Sequence, residues 1–156
     1  ISMTKNKGIN WNFKHFSELS TLELYALAKI RMEVFIIEQD CIYPDIDGVD
    51  KFASHLFTYD EMEAEVCAYL RVLAPGIRYK EVAMGRILSS ASSRGTGLGR
   101  ALVEQAINVI DREYPNEPIK ISAQVYLIDF YREFDFVTIS RPYDEDGIQH
   151  IDMLRE

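Results

Sequence analysis

The sequence predicts an α/β (α+β) chain in which helices pack on a mixed, mostly antiparallel central sheet. Three observations carry that expectation. Between residues 55 and 89, three extended, apolar-rich runs are separated by turn signals, the pattern of an antiparallel meander. Residues 21–37 and 98–111 repeat apolar side chains at helical spacing. No internal repeat, low-complexity tract or linker interrupts the 156 residues, a length that suits one domain with a sizeable core.

Residues 9–14 alternate apolar and polar, as a half-buried strand does. Ser20-Thr21-Leu22-Glu23 is a capping box, in which the serine and glutamate satisfy each other's backbone amides and open a helix. Tyr25, Ala28, Met32 and Phe35 continue that helix to about Ile37. Residues 41–51, with Pro44 and Gly48, read as a loop long enough to be functional. Strands are expected over 55–60 and 65–74, joined by the polar turn 60–64. Pro75-Gly76 marks the next turn, and 79–89 a third strand, with Gly85 as the expected bulge. After the amphipathic helix from Leu98, Pro115 and Pro118 end the helical run. A strand over 119–125, a short helix over 128–134 and terminal strands over 136–141 and 149–154 complete the chain, with 142–147 as a turn. The order is β-α-loop-β-β-β-α-β-α-β-β over residues 9–156, with 1–8 as an N-terminal tail. Ile1 and Ser2, ahead of Met3, are read as an expression remnant and set aside.

Composition excludes several functions. The 47% hydrophobic and 27% charged content is that of a soluble globular protein. No apolar run approaches the roughly 20 residues that span a bilayer, and the first residues lack the apolar centre of a secretory signal. A cytoplasmic location without a membrane partner is therefore expected. Cys41 and Cys67 match neither a disulfide framework nor a metal pattern, so buried free thiols are expected. His15, His55 and His150 are isolated, and no metal is expected. A net charge of −8 argues against a nucleic-acid partner, which needs a basic face. The charge is unevenly spread: residues 40–65 hold eight acids and one base, residues 71–100 six bases and one acid. Such a split suits an anionic cofactor and a cationic co-substrate, and equally two unrelated solvated faces.

The chemistry is expected at Arg94-Gly95-Thr96-Gly97-Leu98-Gly99-Arg100. Glycines allow φ > 0 and close approach of backbone to a ligand. A helix starting there turns unpaired N–H groups and a partial positive charge towards the loop, which makes an anion site for a phosphate or pyrophosphate. The alternative is a plain tight turn. Two known phosphate loops fit poorly. The dinucleotide fingerprint needs G-x-G-x-x-G and an acid about 20 residues on, where this chain has G-x-G-x-G and Lys120. The P-loop needs a lysine after its last glycine, and none is present.

Arg94-Gly95-x-Gly97-x-Gly99-Arg100-Ala101-Leu102 resembles the pyrophosphate loop of the GNAT N-acetyltransferases, Arg/Gln-x-x-Gly-x-Gly/Ala. The segment from Gln124 through Tyr131 to Phe136 resembles that family's Asn-x-x-Ala-x-x-x-Tyr-x-x-x-Gly-Phe, with Gln124 for Asn and Asp135 for Gly. Residues 31–39, Asp45-x-Asp47-Gly48-x-Asp50, 68–71, 122–124, 130–131 and 143–148 are similar to the ElaA subfamily. The resemblance runs from about Trp11 to Met153.

The resemblance implies a GNAT-like fold and an enzyme that passes acetyl from acetyl-CoA directly to an amine in a ternary complex. The acceptor is then a small molecule or a peptide amine, and a homodimer is left open. By this resemblance Arg94, Gly95, Thr96, Gly97, Leu98, Gly99 and Arg100 hold the pyrophosphate, and the backbone of Ile87, Leu88 and Ser89 meets the pantetheine arm. Gln124 contacts the same arm. Tyr131 matches the tyrosine that protonates the departing thiolate, a role for a hydroxyl that stays protonated at neutral pH. Glu38, His55 and the Asp45–Asp50 aspartates are the candidates for base or acceptor contact, and the residues do not choose among them. Two rival readings are a non-catalytic acyl-CoA-binding or sensing module, which has no need of the Tyr131 hydroxyl, and an acidic interaction domain built on residues 40–65, which leaves the glycine loop unexplained.

Overall fold

The computed structural model describes residues 9–156, and the tail expected over 1–8 lies outside them. Eight strands form one sheet: β1 (Trp11–His15), β2 (Ser54–Asp60), β3 (Glu65–Leu73), β4 (Val82–Ser89), β5 (Ile119–Gln124), β6 (Val137–Thr138), β7 (Tyr143–Glu145) and β8 (Ile148–Arg155). Their order is β1-β2-β3-β4-β5-β8-β6, with β7 also paired to β8. Every pairing is antiparallel except β4 with β5. The mixed, mostly antiparallel sheet is the one the sequence predicts.

Strand alternation divides the core between two helical layers. Helix α1 (Thr21–Arg31) covers one face, where Leu27 and Ile30 pack with Phe57, Tyr69 and Leu88. Helix α2 (Leu98–Glu113) covers the other, where Leu102, Ala106 and Ile110 pack with Leu56, Leu70, Met84 and Ile121. Neighbours Leu56 and Phe57, or Tyr69 and Leu70, thus serve opposite layers. Helix α3 (Ile128–Arg132) is a single short turn that seats Tyr131 in the α2 layer.

Local chemistry accounts for the boundaries. Ser20 Oγ accepts from the Glu23 amide at 3.0 Å and Glu23 Oε1 accepts from the Ser20 amide at 2.8 Å, closing the predicted capping box. Beyond Arg31 the helix widens into a π-helical stretch, Met32–Glu38, that the spacing alone did not distinguish from α-helix. The third strand begins at Val82 instead of residue 79, because the Gly76 N–H donates to the Tyr79 carbonyl at 2.7 Å and closes a turn. Cys41 is buried and Cys67 half-buried, and both are free.

Two expectations need correction. The β4 bulge lies one residue past Gly85: Arg86 has φ 53°, and the register slips between Tyr69↔Leu88 and Arg71↔Gly85. Arginine tolerates that left-handed backbone because its guanidinium is held by Asp45 and Asp47. Residues 142–147 are not all turn. Tyr143–Glu145 is a strand, joined to β8 through Asp146 and Gly147 with φ of 52° and 83°, the conformation of a type I′ hairpin.

Candidate active site

β4 and β5 pair only at Val82↔Ile119 and Ala83↔Lys120. Past those residues the strands part, and a cavity of about 390 Å³ fills the gap. Its walls are Met84–Ile87 from β4, Ile121–Gln124 from β5, and Leu127 and Tyr131 behind. Cys41 and Tyr43, from the loop after α1, and Glu145 and His150, from the β7–β8 hairpin, line it as well.

The glycine loop follows the end of β4. Gly97 is the N-cap of α2 with φ 86°, and no side chain caps the helix. Gly95 also has positive φ, 79°. A Cβ built on Gly95, Gly97 or Gly99 meets no heavy atom within 4 Å, so open space lies against the backbone at all three. The first amides of α2 and this open cradle fit an anion. Both flanking arginines are engaged by carboxylates: Arg94 with Glu38 at 2.6 Å, Arg100 with Glu133 at 3.0 Å. Arg100 also lies over the rings of Phe130 and Phe134. Thr96 Oγ1 donates to the Ser93 carbonyl, tying the loop to itself.

Tyr131 is 4% exposed, lies edge-on to Phe130 and Phe136, and lines the cleft. Burial, with the Tyr126 hydroxyl adding to it, pushes its pKa well above the ordinary tyrosine value. The hydroxyl keeps its proton at neutral pH. Ile87 lines the cleft, Leu88 is turned into the α1 layer, and Ser89 ends the strand. Gln124 lies at the cleft and its Nε2 donates to Gln39 Oε1 at 3.4 Å, linking β5 to the end of the π-helical stretch. Asp135 has φ 68°, a conformation aspartate accepts more readily than most residues.

The structure separates the candidate bases from this cleft. His55 is fully buried, its Nδ1 2.6 Å from the Tyr69 hydroxyl and its Nε2 3.0 Å from the Asp50 carbonyl. A carbonyl only accepts, so Nε2 carries the hydrogen and Nδ1 receives one from the tyrosine. Burial pulls the pKa of His55 down, and the ring is neutral and structural. Glu38 faces Arg94 and borders a separate hollow with Ser90–Ser92. The loop aspartates are occupied as well. Arg31 binds Asp45 at 2.9 Å and Asp50 at 2.6 Å, Arg71 binds Asp47 at 2.8 Å and Asp50 at 2.9 Å, and Arg86 Nε is 2.6 Å from Asp45 Oδ1, too bent for a hydrogen bond. Asp45, Asp47 and Asp50 of the acidic segment are thus bound by Arg71 and Arg86 of the basic segment and by Arg31, so these three are not free to meet a cationic co-substrate.

Glu145 and His150 are among the cleft residues that sequence reasoning did not single out. Glu145 and His150 belong to the β7–β8 hairpin, and the dipeptide Asp146-Gly147 was the signal for it. Among the described residues, no three His, Cys, Asp or Glu side chains stand together as a metal site, and no helix is long and apolar enough to cross a membrane.

Residues 33–156 match the acetyltransferase (GNAT) domain family. A UPF0039 protein of Synechocystis is 43% identical over 148 residues, covering 94% of each chain. The ElaA protein of Escherichia coli is 37% identical over 95% of this chain and 97% of its own, and its crystal structure superposes with a TM-score of 0.88. An acyl-CoA N-acyltransferase from Pseudomonas aeruginosa, 38% identical, superposes with a TM-score of 0.90 over 96% of this chain and 100% of that one. A glycine-cradled helix start, a parted β4–β5 pair and relatives matched over nearly their full length agree: the chain belongs to the GNAT acyltransferase family, in its ElaA-like branch.

Proposed function

We propose that this protein is a cytoplasmic, acetyl-CoA-dependent N-acetyltransferase, one catalytic domain over residues 9–156, that moves acetyl directly to the amine of a small molecule or peptide in a ternary complex. The observation that carries this reading is the Tyr131 hydroxyl, which is held protonated in the wall of the cleft where β4 and β5 part. The open backbone at Gly95, Gly97 and Gly99 and the uncapped start of α2 fit the pyrophosphate of CoA.

In this reading the amides from Arg94 to Arg100 hold the pyrophosphate, with Arg94 and Arg100 released from Glu38 and Glu133 to add charge-assisted bonds. The β5-facing edge of β4 from Met84 onward has no strand partner, and its backbone at Ile87, Leu88 and Ser89 receives the pantetheine arm. One of those N–H groups polarises the thioester carbonyl, an effect worth roughly 3 kcal/mol per donor in comparable sites. Gln124 contacts the arm from the opposite wall. Bound acetyl-CoA supplies an acyl group on a thioester whose sulfur leaves as a thiolate. Tyr131 gives the proton from its Oη to that sulfur, and the buried ring packing around it keeps water away.

Thiol release from acetyl-CoA, measured with a panel of amines and with longer acyl-CoAs, tests the reading. Release is expected with at least one amine, fastest from acetyl-CoA. Tyr131→Phe is expected to lower kcat by about a hundredfold or more while calorimetric CoA affinity holds. CoA binding without release from any amine leaves the non-catalytic binding module. No CoA binding at all overturns the reading entirely.

A further inference from the structure

We propose that His150 is the general base for the acceptor amine, with Glu145 holding that amine beside it as an ammonium, so that the acceptor is a primary alkylamine. The inference rests on the acetyltransferase reading and assigns two residues that line its cleft.

The register Tyr143↔His150 places both side chains on one face of the β7–β8 hairpin, where their rings stack with centroids 6.3 Å apart. Tyr143 is itself fixed, because its hydroxyl donates to Asp152 Oδ1 at 2.6 Å and also meets Ser122 Oγ. His150 therefore rests on an immobile ring. Its Nδ1 lies 2.8 Å from the Ile148 carbonyl. A carbonyl only accepts, so Nδ1 carries the hydrogen and the neutral ring keeps its lone pair on Nε2.

That Nε2 stands 3.4 Å from Glu145 Oε2, and both residues line the cleft. A neutral imidazole nitrogen and a carboxylate are two acceptors facing each other with no hydrogen between them. An ammonium carries three N–H donors, enough to serve both and keep one over. The other Glu145 oxygen faces Arg78 at 3.9 Å. Elsewhere along the cavity Arg71 and Arg86 are matched by Asp45, Asp47 and Asp50, and Asp146, in the hairpin turn, adds a carboxylate beside the pair.

The ammonium gives one proton to His150 Nε2, and the imidazolium is stabilised by Glu145. The freed nitrogen lone pair forms the C–N bond to the thioester carbonyl carbon as the C–S bond breaks. The sulfur leaves with the electrons of the C–S bond and takes the Tyr131 proton. The nitrogen's second proton passes to solvent, solvent reprotonates Tyr131, and His150 releases its own, for one proton lost overall.

The test compares ethylamine, almost wholly protonated at pH 7, with trifluoroethylamine, largely neutral there. His150→Gln is expected to lower kcat/KM for ethylamine by about a hundredfold or more, and for trifluoroethylamine by less than about tenfold, with acetyl-CoA affinity unchanged. In the free protein, imidazole NMR should show His150 with its hydrogen on Nδ1, and ethylammonium should shift that signal in wild type but not in Glu145→Gln. Equal loss for both amines, no loss for either, or a hydrogen on Nε2 overturns the assignment. If wild type releases no thiol, the transferase reading falls and the base role with it, while the NMR titration still reports whether the pair binds an ammonium. Should His150→Gln fail to fold, Glu145→Gln carries the kinetic comparison, and KM for ethylamine must rise several-fold more than KM for trifluoroethylamine.

Discussion

Arg31 and Arg71 are the largest fully buried side chains among the described residues, and Asp50 touches both. Taking a charge out of water is costly, and the arrangement holds only while every member keeps its partner. Asp50→Ala is expected to destabilise the protein by about 3–5 kcal/mol, because two guanidinium groups lose a shared partner in a dry site. A urea titration reads this directly. Asp47 gives a pH signature. Burial alone would raise its pKa, but the Arg71 hydrogen bonds and charge, with the Val49 amide and Arg86, lower it to about 2. The unfolded chain protonates this carboxylate near pH 4, so its stabilising effect is complete above that value and is lost as pH falls from about 4 to 2. Thermal melts should show a decline in that window that Asp47→Asn flattens. None of this pairing was legible beforehand, because sequence lists charges and does not say which ones meet. The acids of 40–65 suited either a cationic co-substrate or a solvated face, yet Asp45, Asp47 and Asp50 are taken up by arginines from α1, β3 and β4.

At the scale of elements, local chemistry was readable wherever it acts within a few residues. The Ser20–Glu23 box and the apolar stripe of α2 depend on near neighbours, and both appear as expected. Ser20→Ala is expected to cost about 1 kcal/mol, seen as a small drop in Tm. Boundaries that depend on distant partners were less readable. β7 exists because β8 lies beside it, and the π-helical turn Met32–Glu38 carries no mark in its spacing. The glycine loop makes two contrasting forecasts. Gly97→Val forces a branched side chain to φ 86°, which costs about 1–2 kcal/mol and blocks the cradle, so both stability and acetyl-CoA binding should fall. Gly99 lies in the first turn of α2 without a positive φ, at the motif position that takes Gly or Ala, so Gly99→Ala should leave acetyl-CoA binding intact and raise the Tm slightly.

For the whole molecule, the mostly antiparallel sheet flanked by helices followed from turn signals and periodicity, whereas the cleft did not. It arises because β4 and β5 share two residue pairs and then separate, a geometry that no local run encodes. Tyr131 and Gln124, matched to the family motif, line this cleft, and Glu38 and His55, the candidates for base or acceptor contact, do not. Ile87 lines it too, while the loop that follows Ser89 lies beyond its end. The parted strands also leave the sheet one element short in its middle. A donor arm lying along β4 would act as a ninth, borrowed strand, and the amides of residues 84–89 should exchange their hydrogens more slowly once acetyl-CoA is added. At a hundredfold excess over its Kd such a ligand adds about 2.7 kcal/mol to folding. The lifetime of the folded chain against proteases would then track the abundance of the metabolite it consumes, and an enzyme short of donor would be the first to be cleared.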